Sequence, residues 1–486
     1  MLRKLLILLT FAGSVTMAGA QETWTLRRMV DHAMQQNISV KQADVQARIQ
    51  ALLLQQAKYN QLPSASFGTG LGMQFGRSID PTTNQFTTTQ LLFNNLSVNG
   101  GIQLYNAGQL KNNIAYNALL VQASLADKAK AANDIALSVC NFYLQALAAR
   151  EQVKISAVQI GQTKAQLDIT RKRVEAGNLP ELNVAELEAQ LANDSSNYIT
   201  SEVNFQQAVL SLKALLNLNM AEPFAIDTPS VSNIPLQTLL ELQPDYVFNL
   251  ARNNQPQQLA DSLRIAAAKQ NIKIVRAGFY PTVSFGYNLT SAFANTLKTI
   301  DPNSFAITGV APTGSFVTVA GTNYAVLEPT VAFKTMQRNF GQWWDGYGRQ
   351  IDQNFRQSVA FQVSVPIFNN TNNTRINYNR AKLDVQNQQL VQQGNLQKLQ
   401  QDVYTAYTAA EAAMRRFYAG QKSVESAQKA YDFAIKRYDA GLLPTIDLIT
   451  NQNNLLRAKL QQLNNQYDYI FRMKLLEFYK GQGLQL

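Results

Sequence analysis

Residues Arg173 to Pro180 read RVEAGNLP, and residues Arg437 to Pro444 read RYDAGLLP. Placing Gly177 on Gly441, 264 positions apart, also places Asp168 on Asp432, Lys172 on Lys436, Arg173 on Arg437, Ala176 on Ala440, Leu179 on Leu443 and Pro180 on Pro444. Each octet closes a long helical pattern. Ahead of the second, small and apolar residues recur at alternating steps of three and four, from Val403 through Ala410, Phe417, Val424 and Tyr431 to Tyr438. The same positions of the first copy hold Val139, Ala146, Val153, Ile160, Leu167 and Val174. Both series are coiled-coil heptads whose small members allow close helix approach. A helix from about residue 112 to 176 would be roughly 100 Å long at 1.5 Å per residue. It needs neighbours along its whole length, so long hairpins packed side by side are expected. Gly177 and Gly441 are then left-handed helix ends, with Pro180 and Pro444 opening the next helices. The octets are hairpin tips.

A second correspondence has a different spacing. PSASFG at Pro63 to Gly68 matches PTVSFG at Pro281 to Gly286, 218 positions on. The second half therefore holds extra residues, expected as a loop or insertion over 292–355 that contains Trp343 and Trp344. Strict alternation follows each Pro, the mark of a half-buried strand. Ala65, Phe67, Leu71, Met73 and Phe75 oppose a small and polar set, as do Leu96, Val98, Ile102 and Leu104. In the other half Val283, Phe285, Tyr287 and Leu289 form one apolar face, and Val359, Phe361, Val363, Val365 and Ile367 another. Four such strands suit an outer-membrane barrel or a water-soluble sheet with one wet face. Four cannot close a membrane barrel, and open edges are not tolerated in lipid. Strands that span must be pooled from several copies.

Composition narrows the function classes. The opening stretch has Arg3 and Lys4, an apolar run and an Ala18-x-Ala20 ending, so residues 1–20 are expected to be a signal peptide. The chain then divides into a first repeat over 21–235 and a second over 236–486. Cys140 is the only cysteine and sits among apolar residues, which predicts a buried packing role. His32 is the only histidine and is expected on an exposed helix face, leaving little from which to build a metal site or a Ser/His/Asp triad. The formal net charge of +11 is scattered over polar helices with no aromatic-lined stripe, so nucleic acid is not an expected partner. There is no glycine-rich phosphate loop of the GxxxxGK[ST] kind. A catalytic role and a cofactor are therefore not expected.

The ordered repetition of helix, strand, strand and helix, the paired AGxLP tips, and Pro63 and Pro281 at helix-to-strand junctions resemble the TolC-like outer membrane efflux protein family. The resemblance implies a mainly α fold with a membrane β-barrel. It implies a homotrimer with four strands per protomer in one twelve-stranded barrel in outer-membrane lipid, and a long α-barrel crossing the periplasm. Residues 221–244 would be the connector in the equatorial region. The implied function is an exit duct without chemistry of its own, served by an inner-membrane transporter and a periplasmic adaptor (membrane fusion) protein. Drug efflux is the leading reading. Type I protein secretion is the runner-up, and a periplasmic coiled-coil adaptor or scaffold is the alternative from another class.

The adaptor would dock on the tips: Arg173, Ala176, Gly177, Leu179 and Pro180, with Arg437, Ala440, Gly441, Leu443 and Pro444. The family pattern places a Tyr three before the second tip glycine and an Asp six after it, and these are Tyr438 and Asp447. Asn183 and Glu186 stand at and just beyond the matching acid of the first repeat. The chain departs from the pattern at Leu443, where a basic residue is usual, and at Thr450, where a second acid is usual. A ring of Asp447 carboxylates and a helix-start acid favoured by the dipole are both compatible with this sequence.

Overall fold

The computed structural model of the chain describes residues 23–79, 84, 86–87, 90–227, 236–368 and 370–482. The expected signal segment lies outside them, as do residues 228–235 of the expected connector. Two compact units form. One is built from the chain up to Leu54, Ala115–Gln270 and from Ala381 on, and the other from Gln55–Ile114 and Asn271–Arg380. The helices, in chain order, are α1 (Leu26–Gln36), α2 (Ile38–Tyr59), α3 (Gln109–Glu175), α4 (Leu182–Leu215), α5 (Pro244–Asn254), α6 (Pro256–Arg276), α7 (Tyr347–Gln353), α8 (Asn370–Asp439) and α9 (Thr445–Lys480).

In the helical unit α3 runs 67 residues and α8 runs 70, each with no proline inside. The 264-residue spacing of the tips is kept by whole elements, since α3 and α8 end at Glu175 and Asp439. Every heptad position named above is buried or half-buried. Alanine and glycine let the backbones approach, which explains why α8 hides Ala406, Ala410 and Ala413 fully. The α3 seam becomes polar toward its tip, where Ser156, Thr163 and Thr170 are buried. Further back, α1, α3, α4 and α9 share a core around Met29, Val139, Tyr143, Leu212 and Ile470. The Tyr143 hydroxyl is satisfied by donating to Asp227 O at 2.9 Å. Cys140 lies in this core, 1% exposed. His32 is half-buried, not exposed as expected, because its ring meets Trp24 edge-on at 5.3 Å. No helix among the described residues is long and apolar enough to cross a membrane.

In the other unit, β1 (Ser64–Gln74), β2 (Leu91–Tyr105), β3 (Thr282–Thr296) and β6 (Arg356–Ser364) form one antiparallel sheet in the order β1, β2, β3, β6. β4 (Ala306–Val319) and β5 (Thr322–Ala332) form a separate two-stranded ribbon. Pairing puts Phe67, Val98, Leu289 and Gln357 in one row and Ser66, Asn99, Asn288 and Ser358 in the next, so the two faces differ in kind over the middle of the sheet. On the apolar face Phe67 is 69% exposed and Phe361 is 71% exposed. Val365 and Ile367 continue the alternation only in sequence, because β6 stops at Ser364. Next to Leu104 the β2–β3 pairing shifts by a bulge between Gln103 and Tyr105.

The extra segment differs from the expected loop. β3 continues to Thr296, the ribbon occupies much of the insertion, and residues 342–353 return to the sheet. There Trp344 stacks on Phe293 with ring centroids 5.8 Å apart, and the Tyr347 hydroxyl donates to Asn94 Oδ1 at 2.8 Å. Leu92, Phe293 and Leu297 are buried beneath them.

Candidate functional site

The two tips are built alike. Gly177 has φ +74° and Gly441 has φ +74°. At the first, Asn178 N donates to Arg173 O at 2.8 Å and Gly177 N to Val174 O at 2.8 Å. At the second, Leu442 N donates to Arg437 O at 2.8 Å and Gly441 N to Tyr438 O at 3.0 Å. This is the Schellman arrangement, in which a left-handed residue turns the chain back onto otherwise unpaired helix carbonyls. The prolines differ. Pro444 caps α9 directly, whereas Glu181 stands between Pro180 and α4. Ala176, Ala440 and Arg437 are exposed, while Leu179 and Leu443 are half-buried.

The tips are joined by groups that the sequence only half reveals. Arg173 reaches Asp439 across the two hairpins at 3.1 Å. Tyr438 is 2% exposed and packs with Tyr431, Ala434, Leu448 and Leu455. Its hydroxyl shares a 3.0 Å hydrogen bond with Thr170 on α3 and accepts one from Thr445 at 3.4 Å. Leu167, Leu187 and Ile449 make an apolar contact among α3, α4 and α9 beside it. Further along, the carboxylate of Asp194, 1% exposed, accepts from Thr163 at 2.6 Å and Gln190 at 2.8 Å. Gln452 of α9 donates to Thr163 Oγ1 at 2.8 Å, and Gln190 pairs with Asn453. Apolar and polar contacts alternate along this seam.

Asp447 is exposed in the first turn of α9, where the helix dipole favours an acid. Among the described residues its carboxylate has no ion pair, and neither has that of Glu186. Asn183 and Glu186 are half-buried at the start of α4, and no hydrogen bond joins either side chain to Asp447. Thr170, Asp439 and Asp194 were not among the expected site residues. Thr170 stands at a heptad core position, and Asp439 occupies the position that Glu175 holds in the first copy, so both carried a weak signal. Among the described residues no group of three His, Cys, Asp or Glu is placed to hold a metal ion.

The family model for outer membrane efflux proteins matches residues 29–218 and 342–478. The chain is 24% identical over 259 residues to the pyoverdine export outer membrane protein OpmQ of Pseudomonas putida, spanning 52% of this chain and 53% of that protein. To OpmQ of Pseudomonas aeruginosa it is 22% identical over 361 residues, spanning 71% of this chain and 61% of that protein. The chain thus matches little more than half the length of these relatives. Among solved structures, CusC superposes with a TM-score of 0.70 at 15% identity, covering 94% of this chain and 92% of that one. That likeness establishes the fold, long helices with a β domain. The chain is an outer-membrane protein, and it belongs to the outer membrane efflux protein family.

Proposed function

We propose that this chain is the outer-membrane exit duct of a tripartite efflux pump, passively conducting what an inner-membrane transporter and a periplasmic adaptor deliver. The observation that carries the reading is the sheet. It presents an apolar face that is exposed at Phe67 and Phe361 and covered only at its Leu92 and Phe293 end, its edge strands β1 and β6 have no outer neighbour among the described residues, and it belongs to an outer-membrane protein. Lipid does not tolerate open edges, so several copies must pool their strands, and the family resemblance makes this a homotrimer with one closed barrel of twelve. The chain's two halves, 21–235 and 236–486, act as repeats of one unit. The duct has no chemistry of its own.

The tips follow from the same reading. Arg173, Ala176, Gly177, Leu179 and Pro180, and their counterparts Arg437, Ala440, Gly441, Leu443 and Pro444, form the surface on which the adaptor docks. Tyr438 holds the second hairpin against Thr170 of the first, and this hydroxyl latch, with the Arg173–Asp439 pair, keeps the mouth narrow. Asp447, Asn183 and Glu186 line that mouth. The two relatives named for pyoverdine export favour small-molecule export over protein secretion. Purification in detergent, followed by oligomeric mass and planar-bilayer conductance, tests the reading. Conducting trimers support it, and a water-soluble monomer without conductance overturns it.

A further inference from the structure

The face of the sheet opposite the apolar one is made of serine, glycine, asparagine, glutamine, threonine and a few small or apolar residues. Across β1, β2, β3 and β6 only one residue carries a charge, Arg356, and no acid is present. The pairing fixes its side of the sheet. Arg356 stands opposite Thr290, which stands opposite Ser97, which stands opposite Gly68. The neighbouring row on the same face holds Ser358 and Asn288, and the exposed Val359 and Phe361 belong to the other face.

Arg356 is the first residue of β6, yet it is not at the rim. β3 runs on from Thr290 to Thr296, and β2 from Ser97 back to Leu91. Its row neighbours are small, Gly68 having no side chain at all, so nothing on that row covers the guanidinium. Arg356 is exposed, and no carboxylate among the described residues pairs with it. An unpaired, permanently charged group on the neutral side of a membrane sheet faces water and whatever passes through that water.

We propose that Arg356 sets the charge preference of the strand pore, favouring anionic solutes. The inference rests on the duct reading above. In a pool of three sheets it contributes three fixed positive charges to a lumen wall whose strand residues are otherwise uncharged. Rings of arginine or lysine are the device by which pores select anions. The cargo class it suits is small molecules that carry carboxylate, sulfonate or phosphate groups.

The test is the reversal potential of the reconstituted protein under a potassium chloride gradient at low ionic strength, where screening is weakest. The unchanged chain is compared with Arg356→Gln and Arg356→Glu. Anion preference should fall in Arg356→Gln and turn toward cations in Arg356→Glu. Each protein is also measured with Tyr438→Phe, which removes the latch hydroxyl, so that a closed tip does not mask the result. Conducting channels with identical reversal potentials in both backgrounds overturn the proposal.

A second readout does not depend on selectivity. In a Cys140→Ala background, Arg356→Cys should react with a water-soluble anionic thiosulfonate and change the conductance. Channels that conduct and ignore the reagent overturn the lumen position of residue 356. Failure of the unchanged chain to form any conducting oligomer sinks the duct reading instead, which keeps the two outcomes apart.

Discussion

Gly177 and Gly441 are glycines for a single reason. A Cβ placed on either would meet no atom within 4 Å, so space does not exclude a side chain, but φ of +74° does. A left-handed backbone costs an ordinary residue about 1–2 kcal/mol, and asparagine enters it more readily. Gly441→Val should therefore lower transport well beyond any loss of expression, while Gly441→Asn stays close to the parent. Dye-efflux rates set against immunoblot levels check this, and equal behaviour of the two variants removes the backbone account. These positions were legible because glycine before a spaced proline is local chemistry. The contacts of Tyr438 were not, since its partner Thr170 lies 268 residues away. Cys140 was readable from its apolar neighbours, and burial pushes its thiol up to about 12. It should resist maleimide labelling in the folded protein at pH 8 and react after denaturation, as mass spectrometry would show.

At the scale of elements, the long helices were readable because their repeating small residues are the ones that pack. The seam between the hairpins was not. Asp194 occurs in a stretch that looks like an ordinary solvated helix face, and nothing nearby marks it as buried. Its partners are Thr163 on α3 and Gln190 on its own helix, and Gln452 of α9 donates in turn to Thr163. Removing the acceptor leaves buried donors unpaired, which costs about 1–3 kcal/mol per group. Asp194→Leu should lower the melting temperature followed by circular dichroism in detergent, and Asp194→Asn should do so much less because an oxygen remains. Similar melting of both would mean that the network is incidental. The ribbon escaped the sequence for another reason. Its alternation is broken by pairing shifts between Ile307 and Gly309 and between Pro312 and Phe316, so no period of two survives.

At the scale of the molecule, alternation told that a sheet has two unlike faces but not what lies against each. A soluble sheet with one wet face and a membrane sheet share that pattern. The two differ in what an added charge does. Phe361 and Gln362 are adjacent on β6, on opposite faces, and both are exposed in the single chain. Phe361 also packs against Phe285 across the strands, with ring centroids 5.1 Å apart. If water covered both faces, arginine at either position would be accommodated at small cost. With lipid against the apolar face, arginine at 361 costs about 2–4 kcal/mol near the bilayer midplane, whereas arginine at 362 faces the lumen. Phe361→Arg should therefore lower the amount of folded oligomer in the outer-membrane fraction, and Gln362→Arg should leave it near the parent level. Phe361→Ala controls for the lost ring contact and should fall between them. Equal oligomer yields for the two arginine variants would put water on both faces and remove the physical reason for pooling the strands.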